Sequence, residues 1–193
     1  MRAIRRQDVF NLPNLITLVR VGSIPVLVAM LYLPGRVWSW AAAALFCVAG
    51  LSDLLDGIVA RSLKKVTVLG QFLDPLADKL LIASMLVMLV ALGRAPAWMA
   101  VIIICRDAAV TGLRALAASQ SLGVPSDRWG KAKTALQMAA VLLLIWHYPV
   151  GGLDVQFWGG LALWAATLVS FFSGLRYFLR FNRLLAEGER DKA

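Results

Sequence analysis

Asp53-Leu-Leu-Asp56-Gly57-Ile-Val-Ala60-Arg61, followed after eight residues by Gly70-Gln-Phe-Leu-Asp74-Pro-Leu-Ala-Asp78, sets four carboxylates into a strongly apolar chain. A carboxylate in a helix fit for lipid is costly and needs a partner. Asp53 and Asp56 stand three apart, and Asp74 and Asp78 four apart, so each pair lies on one face of a helix. Two such helices facing each other can gather all four carboxylates around one hard divalent cation, or two.

Working outward, the 193 residues are 60% hydrophobic, which few soluble globular proteins reach. Several apolar runs approach the ~20 residues that a helix needs to cross a bilayer. Six spans are expected, at about Leu12–Leu33, Trp38–Ala60, Asp74–Gly93, Pro96–Ser119, Lys131–Tyr148 and Phe157–Phe178. Pro34-Gly35, Gly93 with Pro96, Gly123 with Pro125, and Pro149 with Gly151-Gly152 punctuate the connections. No linker or internal repeat divides the chain. The expectation is one all-α integral membrane domain over residues 1–193, with a short amphipathic segment at 1–11 and a basic tail at 179–193. The first span follows Arg2, Arg5 and Arg6 as a signal peptide would. It is longer than a signal core, contains Arg20 and lacks a small-x-small cleavage site, so it reads as a retained helix.

Basic residues set the expected orientation. Arg2, Arg5, Arg6, Arg61, Lys64, Lys65, Arg128, Lys131, Lys133 and the tail residues Arg176, Arg180, Arg183, Arg190 and Lys192 fall on one side, against Arg36 and Arg94 on the other. Both termini and the mouth of the acidic cluster are therefore expected at the cytoplasmic side of the cell inner membrane. The net charge of +9 is a topology signal and an attraction to anionic headgroups. Its division among membrane-flanking segments argues against nucleic acid as a partner. Cys47 and Cys105 have no C-x-x-C or histidine neighbour, so neither a disulfide nor a zinc site is expected. His147 reads as interfacial, and Trp38, Trp40, Trp98, Trp146, Trp158 and Trp164 as anchors at span ends.

Structural ion pairing would explain any one of the acids, with Lys79, Arg106, Asp107 and Arg114 as partners. It does not explain the small and basic residues among them. Gly57 and Ala60 share a helix face and open the backbone to a bulky ligand. Arg61 ends its helix with a fork suited to phosphate oxygens. Gly70 stands just before the second acidic span. Cations on carboxylates, a phosphate-seeking arginine and a small-residue floor suggest a diphosphate substrate with a lipid part.

The spacing D-x-x-D-G-x-x-A-R-x8-G-x3-D-x3-D is met at every position from Asp53 to Asp78, and in this the chain resembles the CDP-alcohol phosphotransferases. The resemblance implies six membrane helices around a polar cavity open to the cytoplasm, in a homodimer. It implies that Asp53, Asp56, Asp74 and Asp78 bind two Mg²⁺ or Mn²⁺ ions, that Gly57 and Arg61 contact the CDP group, and that Asp78 also serves as general base. Asn11-Leu-Pro13-Asn14-Leu-Ile-Thr17-Leu-Val-Arg20, Arg106-Asp107, Thr111-Gly112-Leu113-Arg114 and Gly130-Lys131-Ala132-Lys133-Thr134 resemble the branch that uses glycerol 3-phosphate. Asp107 departs from that pattern, where glutamate is frequent. The implied reaction joins CDP-diacylglycerol and sn-glycerol 3-phosphate to give phosphatidylglycerol phosphate and CMP.

An anionic acceptor calls for a basic pocket, and Arg106, Arg114, Lys131 and Lys133 are its candidates. Arg106 and Arg114 lie within a span, where positive-inside flanking is a poor explanation. Asn14, Thr17 and Arg20 form a stripe on the first helix. Their structural readings are a helix cap, a backbone-bonded hydroxyl and an interfacial charge. The resemblance implies that this stripe lines the nucleotide side, with Asn14 and Thr17 its best candidates, and Thr67 either approaches the nucleotide there or serves only its loop. Inositol phosphate and phosphatidylglycerol are alternative acceptors. From another class, a small divalent-cation transporter also fits six spans with buried acids, but acids clustered beside a phosphate-type arginine weigh against it.

Overall fold

The computed structural model describes the backbone of residues 12–63, 68–119 and 128–190 and the side chains of 17–50, 76–119 and 132–184. Six helices lie within these residues. They are α1 (Leu12–Tyr32), α2 (Arg36–Leu63), α3 (Val68–Ala91), α4 (Ala97–Ser119), α5 (Arg128–Trp146) and α6 (Val155–Arg190). Among the described residues the only β feature is an isolated Val150–Leu153 bridge. It closes a tight turn in which Gly151 and Gly152 both have positive φ, at 58° and 83°. That geometry suits residues without a Cβ.

Each helix matches one expected span, with two extensions. Helix α3 starts at Val68, so Gly70 lies inside it and not before it. Helix α6 runs to Arg190, so most of the basic segment at 179–193 continues the helix. The reason is packing, because Ser170, Ser173, Tyr177 and Phe181 continue one buried stripe at helical spacing. The start of α6 is capped by Asp154, whose Oδ1 accepts the Phe157 N–H at 3.1 Å.

Helix α6 packs on α5 and α4, α1 packs on α2 and α3, and α2 also meets α5. Three connections gather at one end. The Arg36 guanidinium lies over the rings of Trp40 and Tyr148, at 5.7 and 5.2 Å. Arg94 donates to the Ile145 carbonyl at 3.2 Å, and Gln156 donates to the Arg94 carbonyl at 3.0 Å. Trp40 stacks on Trp146, and Trp98 meets Trp164 edge-on. The acidic motif lies at the other end, on the last turns of α2 and the first turns of α3.

The interior changes character between these ends. Near the tryptophans it is apolar apart from Ser39, with Leu27, Phe46, Met85, Leu89, Met99, Ile103, Leu144 and Ile145. About halfway along, at 1.5 Å of rise per residue, buried polar groups begin. They include Arg20, Asp107, Lys133, Gln137, Ser170 and Ser173. Much of the outer surface is apolar, with Val19, Val26, Val48, Leu161, Phe171, Phe172 and Leu179 exposed. Among the described residues one helical stretch, Val155–Leu184, is long and apolar enough to cross a membrane by length and composition. Shorter apolar stretches are Thr17–Tyr32, Arg36–Gly50 and Ala132–Trp146. Helices α3 and α4 are interrupted by Asp78, Lys79, Arg106, Asp107 and Arg114.

Candidate functional site: a basic cluster beside the acidic motif

Asp107 occupies the buried stripe of α4, in register with Met99, Ala100, Ile103 and Val110. A carboxylate on such a stripe must be paired. Its Oδ1 accepts from Arg106 Nη1 at 3.0 Å and from Lys133 Nζ on α5. Arg106 extends further and donates through Nη2 to Ser173 Oγ on α6 at 2.8 Å. Ser173 donates to the Ser170 carbonyl, and Gln137 of α5 donates to the Ser170 hydroxyl at 3.2 Å. From α3, Lys79 donates to the Thr111 hydroxyl, which donates to the Asp107 carbonyl at 2.6 Å. Four helices are thus tied through one carboxylate residue.

Among the described side chains, positive charge exceeds negative here. Lys79, Arg106, Arg114 and Lys133 are electrostatically linked with Asp107 and Asp78. That excess suits an anionic ligand more than a structural ion pair.

The expected site residues divide as follows. Arg106 and Lys133 come together on Asp107. Arg114 is exposed two turns further along α4, with its guanidinium 5.9 Å from the centre of the Tyr177 ring. Asp78 is half-buried on α3, one residue before Lys79. Thr17 is buried on α1. The structural reading of Arg20 as an interfacial charge does not hold. Only 2% of it is exposed, and its Nε donates to the Ala49 carbonyl of α2 at 3.0 Å. Ala49 precedes Asp53 by one turn, so Arg20 ties α1 to the helix that carries the first acids. Thr67 lies outside the described residues. The side chains of Asn14, Asp53, Asp56, Gly57, Ala60, Arg61, Gly70, Asp74 and Lys131 also lie outside them, although their backbones are helical.

Sequence reasoning did not single out Ser173, Lys79 or Thr111 as parts of a site, and it treated Asp107 mainly as a departure. Their signal is tertiary. Lys133 reaches Asp107 across 26 positions, and Arg106 reaches Ser173 across 67.

For a metal, the backbone supplies one test. Asp53 and Asp56 are on helical residues of α2, and Asp74 and Asp78 on helical residues of α3, so the spacings three and four do place each pair on one helix face. Four carboxylate groups are a donor set for a hard cation. The residues present fit such an ion. Among the described residues alone there is no cluster of three metal-binding side chains.

The model of the family described as CDP-alcohol phosphatidyltransferase matches residues 10–172. This chain belongs to the CDP-alcohol phosphatidyltransferase family. The match takes in the acidic motif and the basic cluster through Ser170, and stops one residue before Ser173. A CDP-diacylglycerol–glycerol-3-phosphate 3-phosphatidyltransferase of Bacillus subtilis is 43% identical over 182 residues, covering 88% of this chain and 94% of that protein. A protein of the same name from Pseudomonas fluorescens is 39% identical over 173 residues, covering 80% and 86%. A probable phosphatidylglycerophosphate synthase of Mycobacterium tuberculosis is 35% identical over 181 residues, covering 91% and 83%. As a CDP-alcohol phosphatidyltransferase family member, the chain has its basic cluster at the end of the bundle where the family's acidic signature also falls.

Proposed function

We propose that this protein transfers the phosphatidyl group of CDP-diacylglycerol to sn-glycerol 3-phosphate, forming phosphatidylglycerol phosphate and releasing CMP. The observation that carries the choice of acceptor is the cationic cluster of Arg106, Lys133 and Lys79 around Asp107. Such a pocket attracts a phosphorylated alcohol and repels choline or ethanolamine. The relatives bearing the name of this reaction support the same acceptor.

Asp53, Asp56, Asp74 and Asp78 are the residues that would hold two divalent cations, Mg²⁺ or Mn²⁺. Bound there, the ions supply charge neutralisation and a template for the diphosphate. Arg61 pairs with a phosphate of the CDP group, and Gly57, Ala60 and Gly70 leave it room. Asn14, Thr17 and Thr67 line the nucleotide side. Arg106, Arg114, Lys131 and Lys133 hold the acceptor's phosphate. The acceptor hydroxyl oxygen then attacks the lipid-side phosphorus, the P–O bond to CMP breaks, and Asp78 takes the hydroxyl proton.

The six helices cross the cytoplasmic membrane in a homodimer, with both termini and the site at the cytoplasmic face. The apolar outer surface and the tryptophan-rich opposite end support this placement. The test is a lipid-product assay of purified protein with CDP-diacylglycerol and a panel of alcohols. Phosphatidylglycerol phosphate from glycerol 3-phosphate is expected. A preference for inositol phosphate or phosphatidylglycerol would move the protein to another branch of the family.

A further inference from the structure

Arg106 lies against α6 at a point where α6 has no side chain. A Cβ built on Gly174 would stand 2.8 Å from Arg106 Cγ and 3.4 Å from its Nε. Real Cβ atoms essentially never approach another atom within 3.0 Å, so the contact with Cγ forces a shift. The atom in the way is in the middle of the Arg106 side chain, so the whole guanidinium would have to move. One residue earlier, Ser173 receives Arg106 Nη2 at 2.8 Å. Adjacent residues of α6 thus supply a gap for the stem and an anchor for the fork.

The anchoring leaves one guanidinium nitrogen without a partner. Arg106 uses Nη1 on Asp107 and Nη2 on Ser173, while its buried Nε has no hydrogen-bond partner among the described residues. One turn along α6, the buried Tyr177 hydroxyl also has none, and the Arg114 guanidinium lies over the Tyr177 ring. Buried polar groups without partners are rare in folded proteins and call for a ligand or a water. Here they accompany the two arginines assigned to the acceptor.

We propose that Ser173 and Gly174 are positioning residues, which hold the Arg106 guanidinium in the one orientation that binds the anionic group of the acceptor alcohol. The proposal rests on the reading of the pocket given above. It adds α6 to the acceptor site, at residues beyond the family match, which ends at residue 172.

Gly174→Ala adds one methyl group and removes a helix-weakening glycine, so loss of helix does not account for an effect. The purified full-length variant is assayed for CMP release with CDP-diacylglycerol and glycerol 3-phosphate. KM for glycerol 3-phosphate rises about tenfold, the lower end of what loss of one charge-assisted contact brings, and KM for CDP-diacylglycerol stays unchanged. Ser173→Ala removes the anchor without a clash and shifts the same constant in the same direction, and Ser173→Thr, which keeps the hydroxyl, recovers it. In the Arg106→Ala background, Gly174→Ala adds nothing. An unchanged acceptor KM in both single variants overturns the positioning role. So does a Gly174→Ala effect that persists in full without Arg106. Wild-type protein run alongside separates the two readings. If it makes phosphatidylglycerol phosphate while the variants behave like it, the function stands and the positioning role fails. If it uses no phosphorylated acceptor, the function fails and the positioning role with it.

Discussion

Asp107 shows how one residue serves packing and chemistry together. It sits on the apolar stripe of α4 and is held there by Arg106 and Lys133. Asp107→Ala removes the shared acceptor and leaves two buried cations facing each other. Breaking a buried pair from one side costs about 3–5 kcal/mol. A lower thermal midpoint in detergent and a loss of turnover are expected, whereas Asp107→Asn keeps an acceptor and loses less. Equal midpoints for Asp107→Ala and wild type would mean that the cluster is hydrated and not structural. Arg114 differs because it is exposed, with only the Tyr177 ring beside it. Arg114→Ala should leave stability near wild type. If it binds the acceptor's phosphate, loss of a charge-assisted contact worth ~1.5–3 kcal/mol raises KM for glycerol 3-phosphate about 10- to 100-fold. KM for CDP-diacylglycerol should hardly move. A rise in both constants together would assign Arg114 to the donor site or to the fold.

At the scale of elements, α6 is the wall on which the site is built. It meets α5 where Gly159 packs under Leu144, and a Cβ there would stand 2.9 Å from Leu144 Cδ2 and 3.2 Å from Leu143 Cβ. Gly160, the next residue, has nothing within 4 Å of its missing Cβ. The pair isolates packing from helix propensity. Gly160→Ala gains up to about 1 kcal/mol of propensity. Gly159→Leu meets overpacking of about 1–3 kcal/mol, which exceeds any such gain. Thermal midpoints should therefore move in opposite directions, and a shared direction would show that α5 and α6 separate easily. The existence of α6 was legible from its apolar run, but its length was not. The run ends near Phe178 by composition, and the helix continues because Tyr177 and Phe181 still find neighbours to bury against.

For the whole molecule, the division between an apolar half and a polar half implies one catalytic end. CMP release should require CDP-diacylglycerol and an acceptor together, and chelating divalent cations should stop it. Asp74→Asn should abolish turnover without unfolding the protein, since ligand charge is lost and volume is kept. Ion movement across sealed vesicles with no CMP release would favour the transporter instead. Helices, their number and their approximate bounds followed from the sequence because hydrophobic run length and Gly-Pro punctuation are local properties. The acidic motif was legible for the same reason: spacings of three and four are enough to place its aspartates on helix faces. What the tertiary structure alone decided is which distant residues share a charge. Arg20, readable as an interfacial charge, is buried against Ala49, the pocket candidate Lys133 is bound to Asp107, and Ser173 carried no signal at all. Local patterns record which face of a helix is turned inward. The partner met there depends on how six helices pack, and that is a property of the assembled bundle.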